Sequence, residues 1–198
     1  AFDLAFKYRN PVMILGDAIL GQMKEPIAPW IPDNLDPDEA ADWRLDGAKG
    51  RQPRLHKSLF LQEGELAQQN RHLQKKYEAM KAEIDYESFM VEDADLVVVA
   101  FGSIGRIVKS TIRKIRSTGK KVGLIRPITV YPYPSEILKT LAEQGKKFLT
   151  IEHNMGQMVE DVRLAIRTIT DSDFYSCLPG NLPTPDDFEE PILKALEG

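Results

Sequence analysis

The feature that most constrains this chain is a rhythm beginning near residue 94. Asp95–Phe101 (DLVVVAF) is a continuous apolar run, the pattern of a strand buried on both faces. Gly102-Ser-Ile-Gly105 then turns into a helix whose inner face carries Ile104, Ile107, Val108, Thr111, Ile112 and Ile115, with Gly119 just past its end. Lys121–Ile125 (KVGLI) is the next strand and ends in Arg126-Pro127. Ser135 is positioned to cap a helix bearing Ile137, Leu138 and Leu141, which stops near Gly145. Lys147–Ile151 (KFLTI) is a third strand, followed by Glu152-His-Asn-Met-Gly156 and a helix over about 157–169. Phe174–Leu178 is a candidate fourth strand, and Pro183-Thr-Pro185 leads into a last helix around 186–196. Strand and helix alternating with short turns specify an α/β fold: three layers, a mostly parallel sheet, helices on both faces.

The first 92 residues are of another kind. Ala1–Tyr8 reads as a helix with Phe2, Ala5 and Phe6 on one face, and Val12–Leu15 (VMIL) as a short buried strand. Gly16-Asp17 precede a helical Ile19–Met23. A helix at the very first residue suggests a piece of a longer chain. Over 26–58, Pro26, Pro29, Pro32, Pro37 and Pro53 alternate with Asp33, Asp36, Asp38, Asp42 and Asp46, which is extended linker. Trp30 and Trp43 imply that this linker packs on something. Residues 64–85 form a helix with Leu66, Leu73 and Met80 at heptad spacing and Tyr77 and Ile84 beside them, either a connector on its own domain or a partner seam.

Composition mainly excludes. With 26 Lys+Arg against 30 Asp+Glu the net charge is −4, so nothing directs the chain to nucleic acid or to an anionic membrane. No apolar stretch approaches the roughly 18 residues of a membrane span, and no signal-peptide layout opens the chain. The single cysteine, Cys177, rules out an internal disulfide and a four-cysteine cluster on this chain, and suits a reducing cytoplasmic compartment.

Ligands of such sheets sit beyond the carboxyl ends of the strands. Three loops qualify. In the first, Gly102, Ser103 and Gly105 place backbone N–H groups at a helix start, a potential anion site; tight turn and close packing are the alternative reading. It lacks one glycine of the dinucleotide fingerprint. In the second, Arg126 is placed to meet a carboxylate, a phosphate or an intrachain acid. In the third, Glu152, His153 and Asn154 are the polar residues, with Glu152 and His153 as acid or base candidates and an ion-pair partner or helix-start group as the alternative reading of Glu152. His56 and His72 lack metal-ligand spacing. The basic run Lys49, Arg51, Arg54, His56, Lys57 is a solvated face or a docking site for acidic groups.

Several strings carry a family resemblance: ADLVVVAFGSIGRIVKSTIRKIRSTGKKVGLIRPITVYPYP (94–134), EHNMGQMVEDVRLAI (152–166), LPTP (182–185) and KYRNPVMILGD (7–17). They resemble the alpha subunit of 2-oxoacid:ferredoxin oxidoreductases of the 2-oxoisovalerate or 2-oxoglutarate type. His153 and Pro179-Gly180 depart from that pattern. The resemblance implies residues 1–24 as the tail of a thiamine-diphosphate-type pyrimidine domain, 25–92 as linker plus long helix, and 93–198 as a domain like the transketolase C-terminal fold. It also implies oxidative decarboxylation of a 2-oxoacid to acyl-CoA with reduction of ferredoxin, in an oligomer with beta and gamma subunits. Thiamine diphosphate, magnesium and iron–sulfur clusters would be held elsewhere in the complex, and no catalytic residue maps onto this chain. Gly102, Ser103, Gly105, Arg126, Glu152 and Asn154 are the candidate residues facing an anion or CoA. Two further readings remain: a stand-alone interaction module using Leu66–Ile84, and a nucleotide- or CoA-binding domain using Gly102–Gly105 and Arg126.

Overall fold

A computed structural model describes residues 1–29 and 41–198. Trp30 and the prolines and aspartates of 32–38 lie outside the described residues. The chain divides into two compact units, residues 1–15 with 23–80, and residues 16–22 with 81–198.

In the first unit, helix α1 (Phe2–Tyr8) ends on Arg9 in the left-handed conformation. Helix α3 (Glu65–Met80) also lies in this unit, whereas α2 (Ala18–Gln22) lies in the second. Tyr8 Oη donates to the Ala79 carbonyl (3.2 Å) and Lys76 Nζ to Asn10 Oδ1 (3.2 Å), so the end of α1 is tied to the end of α3. Trp43 is packed, as its size requires: Arg9 and Arg54 lie 5.4 and 5.6 Å from its ring and His56 5.1 Å away. The basic run is largely self-paired, Arg51 with Asp46 (2.8 Å), Arg54 with Asp42 and Lys57 with Glu65 (3.6 Å). The expected heptad seam is buried only at its far end: Met80 is buried, while Leu66 and Tyr77 stay exposed.

Val12–Leu15 corrects the sequence reading. It is not a strand, and Ile14 is 81% exposed. A strand needs a neighbour to pair its backbone, and none is offered to it among the described residues.

The second unit holds a five-stranded sheet. Its strands are β1 (Tyr86–Phe89), β2 (Leu96–Val99), β3 (Val122–Pro127), β4 (Lys147–Glu152) and β5 (Asp173–Ser176), in the order β1-β3-β2-β4-β5. All pairs are parallel except β1 with β3. Helices α4 (Gly102–Arg116), α5 (Ser135–Glu143), α6 (Met158–Ile166) and α7 (Glu189–Glu197) complete the unit. Successive residues of β2 face opposite ways. Leu96 and Val98 join α4, Phe188 and α7 in one core; Val97 and Val99 join α5 and α6 in the other. This is the expected three-layer arrangement, and each of these side chains, fully buried, stabilises it by about 1.5–3 kcal/mol.

Two local expectations change. The sheet starts at Tyr86, inside the segment read as linker plus helix, because β1 is a half-buried edge strand with no continuous apolar run. Ser135 is the first residue of α5 and makes no side-chain capping bond there.

Candidate functional site

The strand order locates the site. The chain leaves β2 toward β3 but leaves β4 toward β5, so connections diverge at the carboxyl ends of two neighbouring strands. That switch point is where a doubly wound sheet opens a crevice. Loops 100–103 and 152–157 flank it, and each leads into a helix N-terminus.

The start of α4 is already filled. Asp17 Oδ2 accepts from the Ser103 amide (2.9 Å) while its Oδ1 accepts from the Leu20 amide (2.9 Å), so one carboxylate caps both α4 and the short α2. Burial raises the Asp17 pKa, but the bonds from Leu20 and Ser103 outweigh it and hold the carboxyl below its ordinary range. Gly102 sits at φ +59°, and a Cβ there would lie 3.2 Å from Asp17 Oδ2. Gly105 has no room for a side chain either: a Cβ would lie 2.9 Å from the Ala100 carbonyl oxygen and 3.0 Å from Arg126 Cδ. Both glycines therefore serve close packing, and Ser103 offers its amide to an internal acid. Asp17 was not among the candidates from sequence, although Gly-Asp before a helical stretch is a recognisable capping signal.

The start of α6 is filled by the same device. Glu152, only 1% exposed, accepts from the amides of Met158 (2.9 Å, Oε2), Val159 (2.9 Å, Oε1) and Gln157 (3.2 Å, Oε1), and from Asn154 Nδ2 (3.0 Å). Of the readings offered by sequence (acid or base, ion-pair partner, helix-start group), helix-start group is the geometry found. Asn154 shapes the loop: its Oδ1 accepts from the Gly156 amide (2.7 Å) and its carbonyl from Ser176 Oγ (2.6 Å). A buried carboxylate fully surrounded by donors is a positioning group, not a base waiting for a substrate.

Arg126 lies one residue inside the end of β3, and its Nε is 3.1 Å from Glu87 Oε2 on the neighbouring β1, off-line for a hydrogen bond. Glu87 also accepts from Lys109 of α4. That hydrogen bond first, then the charges of Lys109, Arg126 and Arg113, hold its carboxyl low against the opposing effect of burial. Arg126 is thus separated from the α6 loop in its pairing and belongs to a cluster on the sheet's β1 edge.

What faces outward at the carboxyl ends is neutral. Loops 100–103, 128–134, 153–157 and 177–184 contain no Lys, Arg, Asp or Glu. They expose Ile128, Tyr131, Met155 and Leu182, with Met155 at 78%. Within them Tyr133 Oη and His153 Nε2 are buried and, among the described residues, have no hydrogen-bond partner. Burial, with the charges of Asp161 and Glu152, pushes the Tyr133 hydroxyl above its ordinary pKa. Among the described residues no group of three His, Cys, Asp or Glu side chains could hold a metal ion.

Residues 94–188 match the family described as pyruvate:ferredoxin oxidoreductase core domain II. The match runs from just before β2 to Phe188, so this part of the chain carries a domain similar to that core domain. It is 45% identical over 184 residues to the ketoisovalerate oxidoreductase subunit VorB of Methanothermobacter marburgensis, covering 92% of this chain and 51% of that one. It is 28% identical over 225 residues to the 2-oxoglutarate synthase subunit KorA of Methanocaldococcus jannaschii, covering 98% of this chain and 58% of the relative. The chain thus spans about half the length of the curated relatives it matches. Among solved structures, a 2-oxoglutarate:ferredoxin oxidoreductase from Magnetococcus marinus, with 2-oxoglutarate, coenzyme A and succinyl-CoA bound, superposes with a TM-score of 0.57 at 18% identity. It covers 70% of this chain and 24% of that one, a likeness of fold. The matched segment holds the loops that open α4 and α6 and the capping carboxylate Glu152, while Asp17 lies outside it. Among the described residues no helix is long and apolar enough to cross a membrane.

Proposed function

We propose that this chain is the C-terminal portion of the alpha subunit of a 2-oxoacid:ferredoxin oxidoreductase, acting with a branched-chain substrate of the 2-oxoisovalerate kind. The observation that carries the reading is the 45% identity to a ketoisovalerate oxidoreductase subunit along 92% of the chain. The holoenzyme would decarboxylate the 2-oxoacid oxidatively, give the acyl-CoA and reduce ferredoxin, in the cytoplasm and with beta and gamma subunits as partners. Residues 1–24 would close the pyrimidine domain, 25–92 link it, and 93–198 form the transketolase C-terminal-like domain, with 16–22 and β1 packed into that last unit.

The donor set of this chain does not fit the cofactors of that reaction. One cysteine cannot hold an iron–sulfur cluster, and the helix N-termini at the switch point are satisfied by Asp17 and Glu152 rather than open to a diphosphate. In this reading thiamine diphosphate, magnesium and the clusters are bound elsewhere in the complex. This chain organises subunits and walls the substrate or CoA channel with the neutral loops that contain Gly102, Ser103 and Asn154, the first of them set by the close packing at Gly105. Any contact to an anion there would come from side-chain donors.

The test is reconstitution. Full-length alpha subunit co-expressed with its beta and gamma partners should reduce a viologen dye only when 2-oxoisovalerate and CoA are both present. No dye reduction by a correctly assembled, cluster-loaded complex overturns the reading. The 198-residue chain alone should be inactive and should not bind thiamine diphosphate in titration calorimetry.

A further inference from the structure

The edge of the sheet away from the switch point carries an unbalanced cluster. Phe89 and Glu87 of β1 point to the same face as their register partners Leu124 and Arg126 of β3. On that face Lys109 Nζ lies 4.9 Å and the Arg113 guanidinium 5.3 Å from the Phe89 ring centroid. Lys109 and Arg126 both pair with Glu87, and Gly105 lets the Arg126 stem pass beneath α4. Arg113 is exposed and, among the described residues, has no carboxylate at ion-pair distance. Three cations therefore share one carboxylate. Two further cations of α4 differ: Lys114 meets Asp186 and Glu189, and Arg116 meets Asp93.

The surplus sits beside an open strand edge. Among the described residues β1 pairs with β3 alone, so its outer backbone groups face no neighbouring strand. Charges at a sheet edge commonly keep other strands away. Here the surplus is all of one sign, so the edge repels basic segments and favours acidic ones. The chain's overall charge of −4 makes this patch a local feature and not part of a general basic surface.

We infer that the β1 edge is a docking site for an extended acidic segment of a partner polypeptide, which adds as a strand along Tyr86–Phe89 while its carboxylates meet Lys109, Arg113 and Arg126. Main-chain pairing would supply the affinity, and the three cations the selectivity. Glu87 competes for the same cations and so limits the affinity for the partner.

The full 198-residue chain is titrated with a short fluorescein-labelled poly-glutamate peptide, read by anisotropy at low and moderate salt. Binding should weaken as salt rises. The double variant Lys109→Glu, Arg113→Glu should weaken it at least about tenfold, and Arg113→Gln, milder and at an exposed position, about threefold. Glu87→Gln should tighten it about threefold, a gain that a damaged fold would not produce. Hydrogen exchange should show new protection of the amides of residues 86–89 in the complex. The inference is overturned if Lys139→Glu on α5 weakens binding as much as the double variant, or if Glu87→Gln gives no gain. It is equally overturned if 86–89 gain no protection, or if a short poly-uridylate binds more tightly than the peptide.

Discussion

At the amino ends of the strands the turns read VEDAD (91–95), STGKK (117–121) and QGKK (144–147); at the carboxyl ends four loops hold no Lys, Arg, Asp or Glu. The charged end is closed upon itself. Arg116 Nη2 donates to the Met90 carbonyl (2.6 Å) and to Asp93 (2.7 Å), Lys146 to the Ala94 carbonyl (2.8 Å), and Lys147 to that of Leu196 (2.9 Å). The neutral end leaves Ile128, Tyr131, Met155 and Leu182 in solvent while two carboxylates, Asp17 and Glu152, are spent inward on helix starts. Polar side chains at one end stabilise the domain from outside; at the other they stabilise it from within and free the surface for contact. Exposed apolar groups gathered at one end are what a surface covered by other protein presents.

The sharpest way to break this comparison is to remove the inward charge. Glu152→Ala strands buried amides of α6 without an acceptor and should cost about 3 kcal/mol in urea unfolding, since each unsatisfied buried group costs about 1–3 kcal/mol. A loss below about 1 kcal/mol would show that water replaces the carboxylate and that the neutral end is looser than described.

Next comes packing at the same end. Gly105→Val pushes a side chain against the Ala100 carbonyl and the Arg126 stem, with about 1–3 kcal/mol lost. If stability is unchanged, the tight approach of α4 to the sheet is not a constraint.

Asp17→Ala should cost about 1 kcal/mol, the usual worth of an N-cap, and show it locally as faster hydrogen exchange of the Leu20 and Ser103 amides. Because the Asp17 carboxyl sits below its ordinary range, its stabilising bonds are fully present above about pH 4. They are lost as the pH falls through the lowered folded-state value. The variant's stability should therefore converge on that of the parent under acid conditions; a constant gap down to low pH would contradict the capping role.

Smallest is the charged end itself. Lys120→Ala removes an exposed 3.3 Å pair with Glu197 and should shift stability by no more than about 0.5 kcal/mol. A larger loss would mean that the amino-end charges act as a network.

Much of the second unit was legible in its residues. The apolar runs of β2, β3 and β4 and the helical faces between them announce themselves, because strands buried on both faces and amphipathic helices must carry those patterns. β1 was not legible: Tyr-Glu-Ser-Phe is half polar, and its pairing with β3 depends on a register between positions some forty residues apart in sequence. VMIL was misleading for the converse reason, an apolar run that finds no strand to pair with among the described residues. At the site, the loops were foreseeable and so was Glu152 as a helix-start group, whereas Asp17 at the start of α4 was not.

Local rules thus determined the α/β class, the order of most elements and which loops leave the carboxyl ends of the strands. Only the tertiary structure decided what those loops do. An anion site at a helix start is generic until the fold shows whose carboxylate fills it. Here Asp17, 86 positions before Ser103, supplies one and Glu152, six before Met158, the other. Likewise the choice of Glu87 as partner for Arg126 follows from strand pairing. Short-range propensity is written residue by residue, whereas the pairing of distant charges is settled only when the sheet brings them within a few ångströms.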